Sequence, residues 1–157
     1  MGRTRLLILF ACLACASAPR RSPADDERSI AAALDDFHDA AARADEEGYF
    51  AHFAPSGAFL GTDATERWDV PAFRAFAHPF FARGKAWAFR AARRAIVVRG
   101  DTAWFDEDLV TDTLGPARGS GVLVLRDGRW LLEQYVLSVT VPNERFRDLR
   151  ELLERAR

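Results

Sequence analysis

The sequence predicts an α+β domain, with helices first and an antiparallel sheet after them. Apolar residues recur at helical spacing through the first half of the chain, whereas the second half consists of β-branched and aromatic runs separated by turn dipeptides. The length of 157 residues suits one core and leaves little for a second. With 49% apolar and 29% charged residues, a packed domain is expected rather than a disordered chain. Lysine plus arginine total 22 and aspartate plus glutamate 23, a net charge of −1, so composition offers no footprint for a nucleic-acid backbone.

The first fifteen residues read as a leader. Arg3 and Arg5 give a positive start, and Leu6 to Leu13 form an apolar run too short for a permanent membrane span. The run ends in Leu13-Ala14-Cys15 and resembles a bacterial lipoprotein signal, with Cys15 as the lipidated residue. Cys12 is a second possible lipid site, and ordinary cleavage after Ala16 a third reading. The expected location is therefore the cell envelope, as an exported lipoprotein anchored to the membrane, or else the periplasm or medium as a secreted protein. Both cysteines fall in this leader, which leaves the mature domain without thiol chemistry. Residues 16–28 are polar and charged and read as a flexible tether.

The helices come next. Ser29 is placed to cap a helix in which Ile30, Leu34, Phe37 and Ala41 share a face. A short second helix carries Tyr49 and Phe50 and stops before Pro55-Ser56-Gly57, and Gly57 to Asp63 reads as a brief strand. Asp69 caps a third helix with Pro71 in its first turn and an apolar side of Phe73, Phe76 and Phe80. Four strands follow, Phe89 to Val98, Thr102 to Thr113, Gly119 to Leu125 and Trp130 to Val141, forming an antiparallel meander. Asp127-Gly128 between two apolar runs is the strongest hairpin signal. The tail from residue 145 to 157 spaces Phe146, Leu149, Leu152 and Leu153 as an amphipathic helix.

The element order, with Phe59-Leu60-Gly61-Thr62-Asp63, Glu66-Arg67-Trp68, Ala103-Trp104-Phe105-Asp106-Glu107, Gly119-Ser120-Gly121-Val122-Leu123 and Gln134-Tyr135, resembles a SnoaL-like domain of the nuclear transport factor 2-like superfamily. The resemblance covers residues 29–144. It implies a cone-shaped, cystatin-like fold: a strongly bent sheet wrapped around the long first helix, open at one end to a pocket, and commonly a homodimer through the outer sheet face. The superfamily includes ketosteroid isomerases, polyketide cyclases, dehydratases, hydrolases and members that only bind or assemble, so the fold does not fix the function.

Candidate site residues follow from strand alternation. Trp104, Asp106 and Asp108 share one face of their strand, while Ala103, Phe105, Glu107 and Leu109 share the other. Glu107 has the more apolar companions, so an inward Glu107 is expected to have a raised pKa and to suit a general base, with Asp106 the alternative. Strict alternation on the last strand puts Leu132, Gln134, Val136 and Ser138 on one face and Leu131, Glu133, Tyr135 and Leu137 on the other. Gln134 would orient a carbonyl or hydroxyl, and Tyr135 would donate to a developing oxyanion. SnoaL-like relatives often carry histidine where this chain has Val136, which weakens the case for an enzyme. His38 borders the apolar stripe of the first helix, and Asp63, Trp68 and Trp104 are candidate ligand contacts. The three histidines lack metal-ligand spacing, and no phosphate loop is present, so no metal or cofactor is expected. The leading reading is an exported module binding a small hydrophobic molecule in an apolar pocket. The alternatives are a lyase, isomerase or hydrolase using a pocket carboxylate, and an assembly or accessory protein.

Overall fold

The computed structural model describes residues 22–155. The leader and Cys15 lie outside these residues. Helix α1 spans Pro23–Ala42, so the segment expected to be a tether is helical from Pro23 onward. The reason is local: Ser22 caps the helix by accepting from the Asp25 amide, Pro23 occupies the first turn, and Asp25 and Asp26 face the positive end of the helix dipole. Asp26 is buried and accepts from Trp130 Nε1 at 3.4 Å, a contact across the fold that no local composition reveals.

Helix α2 (Glu46–Phe50) leads into strand β1 (Phe53–Leu60), a short β2 (Arg67–Asp69) and helix α3 (Val70–Phe81). Asp69 caps α3 on the Ala72 amide, and the helix carries Pro79 and runs two residues past it. Strands β3 (Arg90–Arg99), β4 (Thr102–Val110), β5 (Ala117–Arg126) and β6 (Arg129–Val139) form the expected meander. Asp127 and Gly128 both take positive φ at the β5–β6 turn, which Gly128 adopts without steric cost. The six strands run in the order β2-β1-β6-β5-β4-β3, all antiparallel except the β1–β6 pair. This is the α+β cone, with α1 packed across the curved sheet against β3 and β6.

Two bulges decide which side chains reach the interior. On β3, Ala91 pairs with Leu109 and Arg93 with Asp108, so Ala92 is an extra residue and Arg94 falls opposite Glu107. Without that bulge Arg93 would occupy the inner position. On β6, Leu132 pairs with Leu123 and Gln134 with Val122, which leaves Glu133 unpaired. Leu132 and Tyr135 are both buried as a result, and strict alternation fails across that point. A matching irregularity in β1 lies alongside, where Ser56 Oγ donates to Glu133 Oε1 at 2.8 Å.

The core is aromatic. Phe37, Tyr49, Phe50, Phe53, Phe59, Phe73, Phe81 and Tyr135 are all buried in one cluster. Phe59 stacks on Phe73 at 4.0 Å between centroids and lies nearly parallel to Tyr135 at 5.6 Å. Beyond a 3₁₀ turn at Asn143–Arg145, helix α4 (Phe146–Arg155) buries no side chain. None of the described helices is long and apolar enough to cross a membrane.

Candidate functional site

Glu107 is wholly buried, and three donors converge on its carboxylate. His38 Nε2 lies 2.6 Å from Oε1, the Tyr135 hydroxyl donates to the same oxygen at 3.1 Å, and Arg94 Nε donates to Oε2 at 2.8 Å. The partners come from α1, β6 and β3, so the site exists only once helix and sheet have docked. Arg94 is held in turn by α1, where its Nη1 donates to the Ala31 carbonyl and to Asp35. Gly119 pairs with Glu107 across β4 and β5. A Cβ there would overlap the Tyr135 hydroxyl and sit 2.8 Å from Glu107 Oε1, so a side-chain-free residue is what lets tyrosine and glutamate meet.

The expected elevation of the Glu107 pKa is reversed. Burial alone would raise it, but the hydrogen bonds and charges of His38 and Arg94 outweigh burial and hold the carboxyl below the usual glutamate value. An ionised Glu107 accepts only, which assigns a proton to His38 Nε2 in this contact. No other partner of the His38 ring nitrogens occurs among the described residues. Burial, followed by the Glu107 charge, pushes the Tyr135 phenol well above its ordinary range, so it remains a donor committed to Glu107.

This cluster stands at the wall of a cavity of about 210 Å³. His38 and Tyr135 line it together with Phe37, Tyr49, Phe59, Trp68, Phe73, Phe76, Trp87 and Phe89, while Gly61, Thr62, Glu66, Thr113, Leu114 and Leu137 complete its lining. The Tyr49 hydroxyl, whose ring packs against Trp87, is buried without a hydrogen-bond partner of ordinary geometry. The volume lies below the roughly 300–1,000 Å³ of pockets for drug-sized ligands. The space therefore suits a small molecule of mostly apolar surface.

Of the residues singled out in the sequence, His38, Glu107, Tyr135 and Trp68 gather at this place, with Glu107 behind the wall rather than in it. The others do not. Asp106 is on the outer face in an ion pair with Arg93, which also binds Asp108. Trp104 is 46% exposed on that same face, under the Arg99 guanidinium. Gln134 follows the Glu133 bulge and takes the face opposite Tyr135, away from the cavity. Asp63 is exposed and closes a turn by accepting from the Thr65 amide and hydroxyl. Arg94 and Gly119 escaped the sequence reading. Nothing in the strand sets Arg94 apart from Arg90, Arg93 and Arg99, and its inward register depends on the Ala92 bulge. Among the described residues no group of three or more metal-ligating side chains is gathered.

A bent sheet closed over a long helix, with an interior cavity at one end, defines the cystatin-like, nuclear transport factor 2-like class. The SnoaL-like domain model matches residues 30–142, and the chain belongs to that family. No curated protein matches it. Among solved structures, a protein of unknown function with a cystatin-like fold from Nostoc punctiforme superposes with a TM-score of 0.63 at 18% identity, covering 76% of this chain and 93% of the other. A nuclear transport factor 2-like protein of unknown function from Pseudomonas putida gives 0.64 at 16% identity, covering 77% and 91%. A protein from Streptomyces avermitilis, provisionally assigned as a dehydratase of the same superfamily, gives 0.65 at 16% identity, covering 77% and 100%. At these identities the likeness is one of fold.

Proposed function

We propose that this domain binds a small, largely apolar molecule in the aromatic cavity and moves a proton on it, as a lyase or isomerase does. The observation that carries this reading is the His38–Glu107 pair. A fully buried carboxylate balanced by Arg94 fixes one imidazole nitrogen, and the imidazole it positions lines the cavity. Burying such a network costs stability, and a binding site for an inert apolar molecule has no need of it. In this reading His38 Nδ1 takes a proton from carbon next to a carbonyl, and the electron pair moves into the enolate. The proton then returns to another carbon, or leaves with hydroxide as water. Glu107 is a positioning residue, and Tyr135, already committed to Glu107, does not act on the substrate.

A binding-only module is the second reading, favoured by the almost wholly apolar lining. The test begins with mass spectrometry of whatever small molecule the gently purified protein retains. That molecule is then incubated with protein in D₂O and followed by NMR. Deuterium incorporation is expected at one carbon, and His38→Gln should slow it by about 10²- to 10⁴-fold, the range for loss of a general base. Retention without exchange would establish the binding module. Export with a lipid on Cys15 belongs to the same proposal, as does a homodimer covering the outer sheet face on which Trp104 stands exposed.

A further inference from the structure

Glu66 is the only acid among the described residues that line the aromatic cavity, and no lysine or arginine lines it. The β1–β2 hairpin sets its position. Phe59 pairs with Trp68, and beyond that pair the Gly61 amide donates to the Glu66 carbonyl at 2.9 Å. Phe59, Gly61, Glu66 and Trp68 therefore share the hairpin face that lines the cavity, while Arg67 falls on the other face and is exposed. Gly61 lets the acid lie there, since a Cβ at that position would overlap the Glu66 carboxylate. Glu66 Oε2 accepts from the Asp63 amide at 3.2 Å, and no cation among the described residues pairs with either oxygen. Glu66 is half-buried, Trp68 stacks on Phe76 at 4.6 Å between centroids, and Phe76 is 44% exposed, which marks these three as the rim of the mouth.

We infer that the cavity selects a cation: a small molecule whose apolar body fills the aromatic interior and whose protonated or quaternary ammonium group sits at the mouth beside Glu66, Trp68 and Phe76. The inference rests on the reading that the cavity holds a small molecule, and it stands whether or not His38 moves a proton.

Desolvation decides among the ligand classes. A ligand filling a cavity this small covers the mouth and takes water from the Glu66 carboxylate. A neutral apolar group there leaves that charge dry and without a counter-charge, which is costly. An anion adds repulsion to the same loss, because no lysine or arginine lines the cavity to receive it. An ammonium group supplies the missing charge, and the electron-rich faces of aromatic rings attract it further. The buried Glu107 does not compete for it, since Arg94, His38 and Tyr135 already hold that carboxylate.

The test uses three probes of one shape and different charge: benzyltrimethylammonium, the hydrocarbon neopentylbenzene and the anion phenylmethanesulfonate. Their affinities for the full chain are measured by NMR titration in wild type, Glu66→Gln and Asp63→Asn. Glu66→Gln should weaken the ammonium by about tenfold or more, the scale of one desolvated charge contact. It should leave the hydrocarbon within about twofold, which also shows that the variant is folded, and it should improve the sulfonate. Asp63→Asn removes a carboxylate from the same loop outside the cavity and should change none of the three. Absence of saturable ammonium binding, equal weakening of ammonium and hydrocarbon in Glu66→Gln, or an equal effect of Asp63→Asn would overturn the inference. So would a retained natural molecule that lacks a basic or quaternary nitrogen. Because the readout is affinity, it can fail while deuterium exchange on a retained neutral molecule succeeds, and the reverse.

Discussion

Replacing Glu107 by glutamine tests whether its charge is what organises the site. Glutamine keeps the shape, and its carbonyl oxygen can still accept from His38 and Tyr135. Its amide then faces Arg94 Nε, now 2.8 Å from an acceptor, as donor against donor. Arg94 keeps only Asp35, whose carboxylate is mostly exposed, as its counter-charge. Removing one partner of a buried pair costs about 3–5 kcal/mol, a large part of the roughly 5–15 kcal/mol that holds a domain together. Urea unfolding at pH 7, followed by tryptophan fluorescence, should show that loss. The pH dependence identifies its origin. The native Glu107 pKa lies below the ordinary glutamate value of 4.5, so the ionised form contributes stability that is complete above that value. This contribution is lost as pH falls through the native pKa. Wild type and Glu107→Gln should therefore differ most near neutrality and converge in acid. A difference under about 0.5 kcal/mol at pH 7, within the range of ordinary surface changes, would refute the reasoning. So would a gap that persists unchanged in acid.

Gly119→Ala should separate Tyr135 from Glu107 and cost about 1–3 kcal/mol, the range for a buried hydrogen bond to a charged group. In a Tyr135→Phe background the same change should cost less by the part due to the hydroxyl, while the close contacts with Glu107 Oε1 and the ring remain, and a double-mutant cycle of urea unfolding checks this. Cys15→Ser should abolish incorporation of labelled palmitate while Cys12→Ser does not, and recovery of unmodified protein beginning at Ser17 would sink the lipid assignment.

The inward side of β4 was legible because Ala103, Phe105, Glu107 and Leu109 alternate without interruption and all four are buried. The same rule misplaced Gln134, since the extra residue at Glu133 resets the period and nothing in its composition announces a bulge. Parity found Glu107 but not its charge state, because pKa depends on Arg94 and His38, which arrive from elements 13 and 69 residues away. The start of α1 was written in Ser22-Pro23 and the two aspartates after it. A low apolar content argued for a tether, and the contact of Asp26 with Trp130 shows why that weighting misled. Asp106 and Trp104 had the right chemistry for a site on the wrong side of the sheet.

The early start of α1 also bears on how the domain would sit at a surface. Seven residues separate Cys15 from Pro23, a reach of at most about 29 Å even fully extended. From Pro23 the helix rises roughly 22 Å before it arrives at His38. A lipid on Cys15 would therefore be a short leash fastened to one pole of the cone, with the cavity toward the other. The mouth would look into the aqueous compartment and not into the bilayer. The domain would then sample compounds that diffuse past in water, and lipids dissolved in the membrane to which it is tied would lie behind it.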